Sequence, residues 1–170
     1  MATFRYATSQ IVVHWLAAAA ITFLLITGTF VLSEMPNTAE KLGNLRIHML
    51  AGAFVAVLII ARIVLRRRKP SAPPVKGQAM ARAGHMALNL VVLLLAVSGS
   101  VLAIESGAIQ AVFGSGSLPA DFFEFTPRKI HGIASKVLMG LIAVHVLAAL
   151  YHQFVVKDRL LARMGLGSRK

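Results

Sequence analysis

The chain has 170 residues, of which 57% are apolar, and its mean hydropathy is +0.74. This composition excludes an ordinary soluble domain and is typical of a protein that crosses a membrane several times. The net charge of +12 does not indicate a nucleic-acid-binding protein, because the basic residues gather at the ends of apolar stretches.

Four apolar stretches are each long enough to cross a hydrocarbon core of about 30 Å. They cover residues 11–32, 47–65, 85–104 and 130–156. The pattern predicts an all-α membrane protein, a bundle of four transmembrane helices that forms one integral-membrane domain over residues 1–170.

The distribution of charge predicts the orientation of this bundle. Residues 66–82 contain six basic and no acidic side chains, and residues 157–170 contain five basic side chains and one acidic. The other two connections are nearly balanced. Because basic segments stay on the cytoplasmic side, both termini are expected to be cytoplasmic, with the basic segments against anionic lipid.

Two histidines in the last stretch, His131 and His145, are fourteen residues apart. On an α-helix this spacing advances about 21 Å and returns to within roughly 40° of the same face. Histidines inside membrane helices are rare and usually mark function. The spacing therefore suggests one large cofactor near each side of the bilayer.

All six histidines sort into two layers by depth. The outer layer contains His48 and His131, and the inner layer contains His14, His85, His145 and His152. A six-coordinate haem iron needs two axial ligands from different helices. In the outer layer only His48 with His131 satisfies this condition.

In the inner layer, His145 needs a partner. We favour His14, because it lies inside its helix, whereas His85 opens the third helix; His85 remains the alternative. The histidines left over, His85 and His152, could bind haem propionates or a quinone head group.

The chain contains no cysteine. This excludes covalent haem attachment and cysteine-ligated iron–sulfur clusters, so the sequence predicts two non-covalent b-type haems with bis-histidine iron. A zinc site is disfavoured, because two ligands 21 Å apart on one helix cannot share an ion and no acidic residue lies mid-span.

Three basic residues lie near the outer pair. Arg128 and Lys129 just precede His131, and Lys136 follows it. They make the outer edge locally positive. Two interpretations stay open: pairing with propionates and snorkelling to the interface, or steering of a small anion toward the outer haem.

Several segments together resemble the bacterial cytochrome b561 family. They are QIVVHWLAAAAITF, RIHMLAGAFVAVLIIARIVLRRRKPSAPP, ARAGHMALNLVVLLLAVSG and KIHGIASKVLMGLIAVHVLAALYHQFVVKDRLLARM. The most specific features are the HW of the first helix, the RxxLRRRxP that ends the second, the GH that opens the third and the H-x13-H-x6-H of the fourth. The resemblance covers nearly the whole chain.

The resemblance implies a four-helix bundle with two b haems in a bacterial inner membrane, superoxide oxidation at the periplasmic side and ubiquinone reduction at the cytoplasmic side. It implies that His48 and His131 hold the outer haem and that His14 and His145 hold the inner one. It also implies that two further histidines, His85 and His152, lie near the quinone site.

The family's positively charged outer pocket makes Lys136, Arg128 and Lys129 the candidates for superoxide entry. Two other functions are kept open. The protein could be a cytochrome subunit that anchors a partner dehydrogenase and passes its electrons to quinone. It could also be a membrane bundle without redox activity, in which the histidines serve packing.

Overall fold

The computed structural model describes residues 4–69 and 78–166, and parts of both basic segments lie outside these ranges. Four long helices dominate it: α1 (Thr8–Thr27), α2 (Ala39–Arg68), α3 (Gln78–Glu105) and α5 (Thr126–Tyr151). π-helical turns extend α1 through Gly28–Leu32 and α5 through His152–Val156. The short elements are α4 (Ala108–Phe113), a 3-10 turn (Phe122–Glu124) and α6 (Leu160–Arg163).

All four long helices are long and apolar enough to cross a membrane, and the described residues contain no strand. The predicted fold class, an all-α membrane bundle, is confirmed. All four long helices begin earlier than their apolar stretches, because polar residues at a helix end still form intrahelical hydrogen bonds. As a result, His85 lies within α3 rather than opening it.

Local sequence explains two of the helix boundaries. α5 begins after Phe125, whose backbone is extended, and Pro127 occupies its first turn, where the missing N–H costs nothing. Gly107 separates α3 from α4 with a φ of +70°, a conformation that glycine adopts without strain.

The helices pack as two pairs. α1 lies along α2, α3 lies along α5, and α2 joins the pairs through α3, whereas α1 and α5 make little contact. An apolar cleft separates α1 from α5 and is lined by Thr22, Leu25, Ile26, Phe30, Met139, Ile142 and Ala143. The bundle is therefore open along this seam.

A small apolar core lies at mid-height, formed by Ala17, Val55, Leu58, Ile59, Val92 and Leu138. The small side chain of Ala17 allows close approach of α1 to α2. Large apolar side chains elsewhere, such as Phe23, Phe54 and Val144, are exposed on the outside of the bundle. In a bilayer these surfaces contact lipid chains.

The segment after α5 folds back onto the beginning of α1. The Trp15 indole N–H donates to the Met164 carbonyl at 3.0 Å, and the Tyr6 backbone N–H donates to the Arg163 carbonyl at 3.1 Å. These bonds hold α6 beside the first turns of α1. We call this end of the bundle the inner end, and the opposite end the outer end.

At the outer end, Lys41 joins two connecting segments. Its buried ammonium donates to the Met35 carbonyl at 3.0 Å and to Asn37 Oδ1 at 2.8 Å. The Asn37 amide in turn donates to the carbonyls of Pro119 and Ala120 at 3.1 and 3.0 Å. The α1–α2 connection is thereby tied to the segment that precedes α5.

Replacing Lys41 should therefore loosen the outer end. We expect Lys41→Met to lower the free energy of unfolding by about 1–3 kcal/mol, because Met35 and Asn37 each lose a donor. Reversible unfolding in mixed micelles measures the change. The exposed Lys69, at the other end of α2, provides the control Lys69→Met. Equal stability of the two variants would contradict this role.

Candidate functional site

Each long helix carries one pair of residues fourteen positions apart, and the pairs form two layers. The outer layer contains Gly28, His48, Gly99 and His131. The inner layer contains His14, Arg62, His85 and His145. Because fourteen residues return to nearly the same helix face, both members of each pair point toward the same side of their helix.

In the outer layer, His48 and His131 face each other across the bundle. Their ring centroids are 6.4 Å apart, and the rings are inclined by 63°. Two glycines accommodate these rings. A Cβ at Gly28 would lie 3.1 Å from His48 Cε1, and a Cβ at Gly99 would lie 3.1 Å from His131 Cε1. Any larger residue at either position would push an imidazole out of place.

The ring of His131 is oriented by hydrogen bonds. Its Nδ1 lies 3.2 Å from the Ser98 hydroxyl, which in turn donates to the Leu95 carbonyl at 3.2 Å. A hydrogen bond at Nδ1 leaves Nε2 available for a metal. His48 Nδ1 is the one buried side-chain polar atom of the described residues that has no hydrogen-bond partner. Unsatisfied buried polar atoms often mark functional positions.

In the inner layer, His145 has two histidine neighbours. Its ring centroid is 6.4 Å from that of His14 and 5.3 Å from that of His85. The structure therefore brings both predicted partners to His145, at different distances.

The two ring spacings differ in whether a metal ion fits between the imidazoles. Imidazole nitrogens bind first-row metal ions at about 2 Å, so two imidazoles on opposite sides of one ion have ring centroids about 6.3 Å apart. The 6.4 Å pairs, His48 with His131 and His14 with His145, fit this requirement. The 5.3 Å spacing of His85 and His145 is too short.

Each of these two pairs would therefore fit one iron held by two imidazoles, which is one of the ways in which proteins hold b-type haem. The described residues contain no group of three or more His, Asp or Glu side chains that could hold a metal ion. A two-ligand haem iron needs no such group, because the macrocycle supplies the other four nitrogens.

Arg62 is a member of the inner layer that sequence reasoning missed. It lies close to the basic end of the second stretch, where basic side chains are expected for reasons of membrane topology. Its guanidinium contacts His14 Nδ1, and its charge acts on His14, His85 and His145. The signal was present in the sequence: Arg62 follows His48 by the same fourteen residues that separate His131 from His145.

Of the three basic residues predicted near the outer pair, the structure brings one to it. Arg128 is half-buried, and its guanidinium lies 4.7 Å above the centre of the Phe123 ring. It is close enough to His48 and His131 to interact electrostatically with both. Lys129 and Lys136 are exposed on the surface of α5.

His152 lies beyond the inner layer, in the π-helical turn after α5. Its Nδ1 is 2.7 Å from Asp158 Oδ2, and Asp158 Oδ1 accepts the backbone N–H of Leu160 at 3.2 Å. The carboxylate orients the imidazole at the inner end of the bundle. This partner was not predicted from the sequence.

Comparisons with known proteins identify several relatives of this chain. The probable superoxide oxidase CybB of Yersinia pestis is 26% identical, over 94% of this chain and 95% of its own length. Cytochrome b561 homolog 1 of Escherichia coli is 29% identical, over 94% and 96%. Cytochrome b562 of Cereibacter sphaeroides is 29% identical, over 94% of each chain. No solved structure matches significantly.

A family model described as prokaryotic cytochrome b561 matches residues 5–167, which is nearly the whole chain. The resemblance predicted from the sequence is thereby confirmed. This family consists of membrane electron-transfer cytochromes with b-type haem, and the four candidate spans agree with a multi-pass bacterial membrane protein. The chain belongs to the prokaryotic cytochrome b561 family.

Proposed function

We propose that the protein is a dihaem cytochrome b that oxidises superoxide at its outer end and reduces ubiquinone at its inner end. The observation that carries this proposal is the pair of 6.4 Å histidine spacings, at two levels of α5 that are fourteen residues apart. The overall reaction balances when two superoxide anions yield two molecules of oxygen, while one quinone takes two electrons and two protons to become quinol.

The histidines and their neighbours prepare both haem sites. His48 with His131, and His14 with His145, are the proposed axial ligands. Ser98 holds the His131 ring, and the two glycines leave room for the outer imidazoles. When bound, b-type haem supplies reversible one-electron chemistry between ferric and ferrous iron.

The outer end supplies positive charge for an anionic substrate. We assign substrate attraction to Arg128, Lys129 and Lys136, with Arg128 foremost because it alone combines partial burial with proximity to the outer histidines. Positive charge around a site raises the encounter rate of a small anion. The name of the Yersinia pestis relative, probable superoxide oxidase, supports this substrate.

The inner end supplies groups suited to quinone chemistry. We assign quinone binding to the region of His85 and His152. Asp158 binds Nδ1 of His152, so Nε2 of this ring is available for a hydrogen bond to a quinone. The basic segments next to this end support a cytoplasmic location for it and for both termini, in a bacterial inner membrane.

The spacing of the inner rings yields a test of the axial ligands. We expect wild-type protein to contain two b haems per chain and His14→Ala to contain one, because His145 then has no partner at a suitable distance. His85→Ala should keep both haems, since its 5.3 Å spacing leaves no room for an iron. Pyridine haemochrome assays of detergent-purified protein give the count. The reverse pattern would make His85 the ligand.

The close contact between Gly99 and the His131 ring yields a second test. Gly99→Ala should weaken binding of the outer haem about tenfold or more, because the added methyl group displaces the His131 ring. The helix itself should not suffer, since alanine is the better helix former. Gly43→Ala, whose added Cβ meets nothing within 4 Å, is the control. If haem titration gives the same affinity for both variants, the close contact between Gly99 and the His131 ring has no effect on haem binding.

The substrate assignment is tested by salt dependence. Arg128→Gln should lower kcat/KM for superoxide by about three- to tenfold at low ionic strength and flatten its dependence on salt. The control is Arg67→Gln, an exposed arginine at the inner end of α2. Superoxide-dependent quinone reduction in proteoliposomes provides the rate. A dihaem protein with no such activity would instead favour a cytochrome subunit that serves a partner dehydrogenase.

A further inference from the structure

Arg62 is a cation inside a candidate membrane span. It lies on α2 within the stretch Ala39–Arg68, is half-buried, and shares its layer with three histidines. A guanidinium stays charged at any physiological pH, and charged groups within a membrane are rare and are normally paired. The position therefore calls for an anionic partner.

None of the acidic side chains in the described part of the chain is paired with Arg62. Five of the six acidic residues belong to the outer-end segments: Glu34, Glu40, Glu105, Asp121 and Glu124. The sixth, Asp158, is engaged by His152 and by the backbone of Leu160. Within residues 4–69 and 78–166, no ion pair joins Arg62 to an acidic side chain.

The contact that Arg62 does make is incompatible with iron binding by its partner. A guanidinium can only donate, so it engages the lone pair of His14 Nδ1 and leaves the proton of the neutral ring on Nε2. An axial histidine needs the opposite arrangement, with the proton on Nδ1 and the lone pair on Nε2.

The outer layer has no such conflict. There, His131 Nδ1 faces the Ser98 hydroxyl, which can accept a hydrogen bond from the ring and so is compatible with ligation through Nε2. The inner layer must rearrange before His14 can bind iron, whereas the ring of His131 is already oriented for it.

We propose that Arg62 exchanges partners when the inner haem binds: it releases His14 and becomes the counter-ion of a haem propionate. This rests on the proposed function, because it requires an inner haem held by His14. A propionate carboxylate matches the two parallel N–H groups of a guanidinium, and a charge-assisted pair of this kind is strong inside a membrane. Lipid phosphate offers similar anionic oxygens, so the test must separate the two sources.

The experiment compares haem b with its dimethyl ester, in which both propionates are uncharged. Each is titrated into haem-free wild-type, Arg62→Gln, Arg62→Lys and Arg67→Gln protein in a non-ionic detergent without lipid, and the low-spin spectrum of the inner site is followed. His131→Ala in every background removes the outer signal. The midpoint potential of the bound inner haem is measured in parallel.

With wild-type protein and with the Arg67→Gln control, we expect the ester to bind about tenfold more weakly than haem b. With Arg62→Gln, haem b should bind as weakly as the ester, and the midpoint potential should fall because a positive charge is lost. Arg62→Lys should retain part of the preference for haem b.

An equal preference for haem b in wild-type and Arg62→Gln protein would overturn the proposal. So would wild-type protein that binds haem b and the ester equally, which would leave lipid phosphate as the partner of Arg62. The wild-type comparison needs no substitution at Arg62, so it remains decisive if Arg62→Gln does not fold. Failure of the proposed function is distinguishable, because wild-type protein would then bind no inner haem at all.

Discussion

In the proposed cytochrome, two imidazoles from different helices must lie at a distance that admits one metal ion, and this requirement constrains the rest of the bundle. It is met twice, at 6.4 Å, by two residues of α5 with a partner on α2 and a partner on α1. One helix thus sets the depth of both sites, because fourteen residues of α-helix rise about 21 Å and return to within roughly 40° of the same face. The other helices have to present their residues at the same two depths.

The packing of the bundle is compatible with this requirement, because it differs from that of a compact four-helix protein. α1 and α5 carry the inner pair and make little contact, and an apolar cleft lies between them. The tight core is confined to a few residues at mid-height, between the two layers. Close packing of α1 against α5 along their whole length would bring the facing histidines too near each other to admit an iron.

The two layers follow the same geometric plan with different chemistry. In the outer layer, α1 and α3 contribute glycines, which bring the helix backbones within contact of the imidazole rings. In the inner layer the same helices contribute His14 and His85, and α2 contributes Arg62. The outer layer combines two imidazoles with two glycines, whereas the inner layer combines three imidazoles with a guanidinium. An inner end of this kind suits a site where protons and anionic groups are exchanged.

The sequence by itself determined the fold class, the two layers of histidines and the family, because hydropathy, helical periodicity and local motifs depend only on the order of residues along one helix. It also contained the position of Arg62, fourteen residues after His48, although basic side chains near a helix end are usually assigned to membrane topology.

Distances between residues of different helices were settled only by the way in which the helices are rotated and paired. The tertiary structure brought both His14 and His85 to His145 but at spacings of 6.4 and 5.3 Å, and it turned Arg128 toward the outer histidines while leaving Lys129 and Lys136 on the surface. Distances between helices depend on how the helices pack, and the spacing of residues along a single helix does not determine that packing.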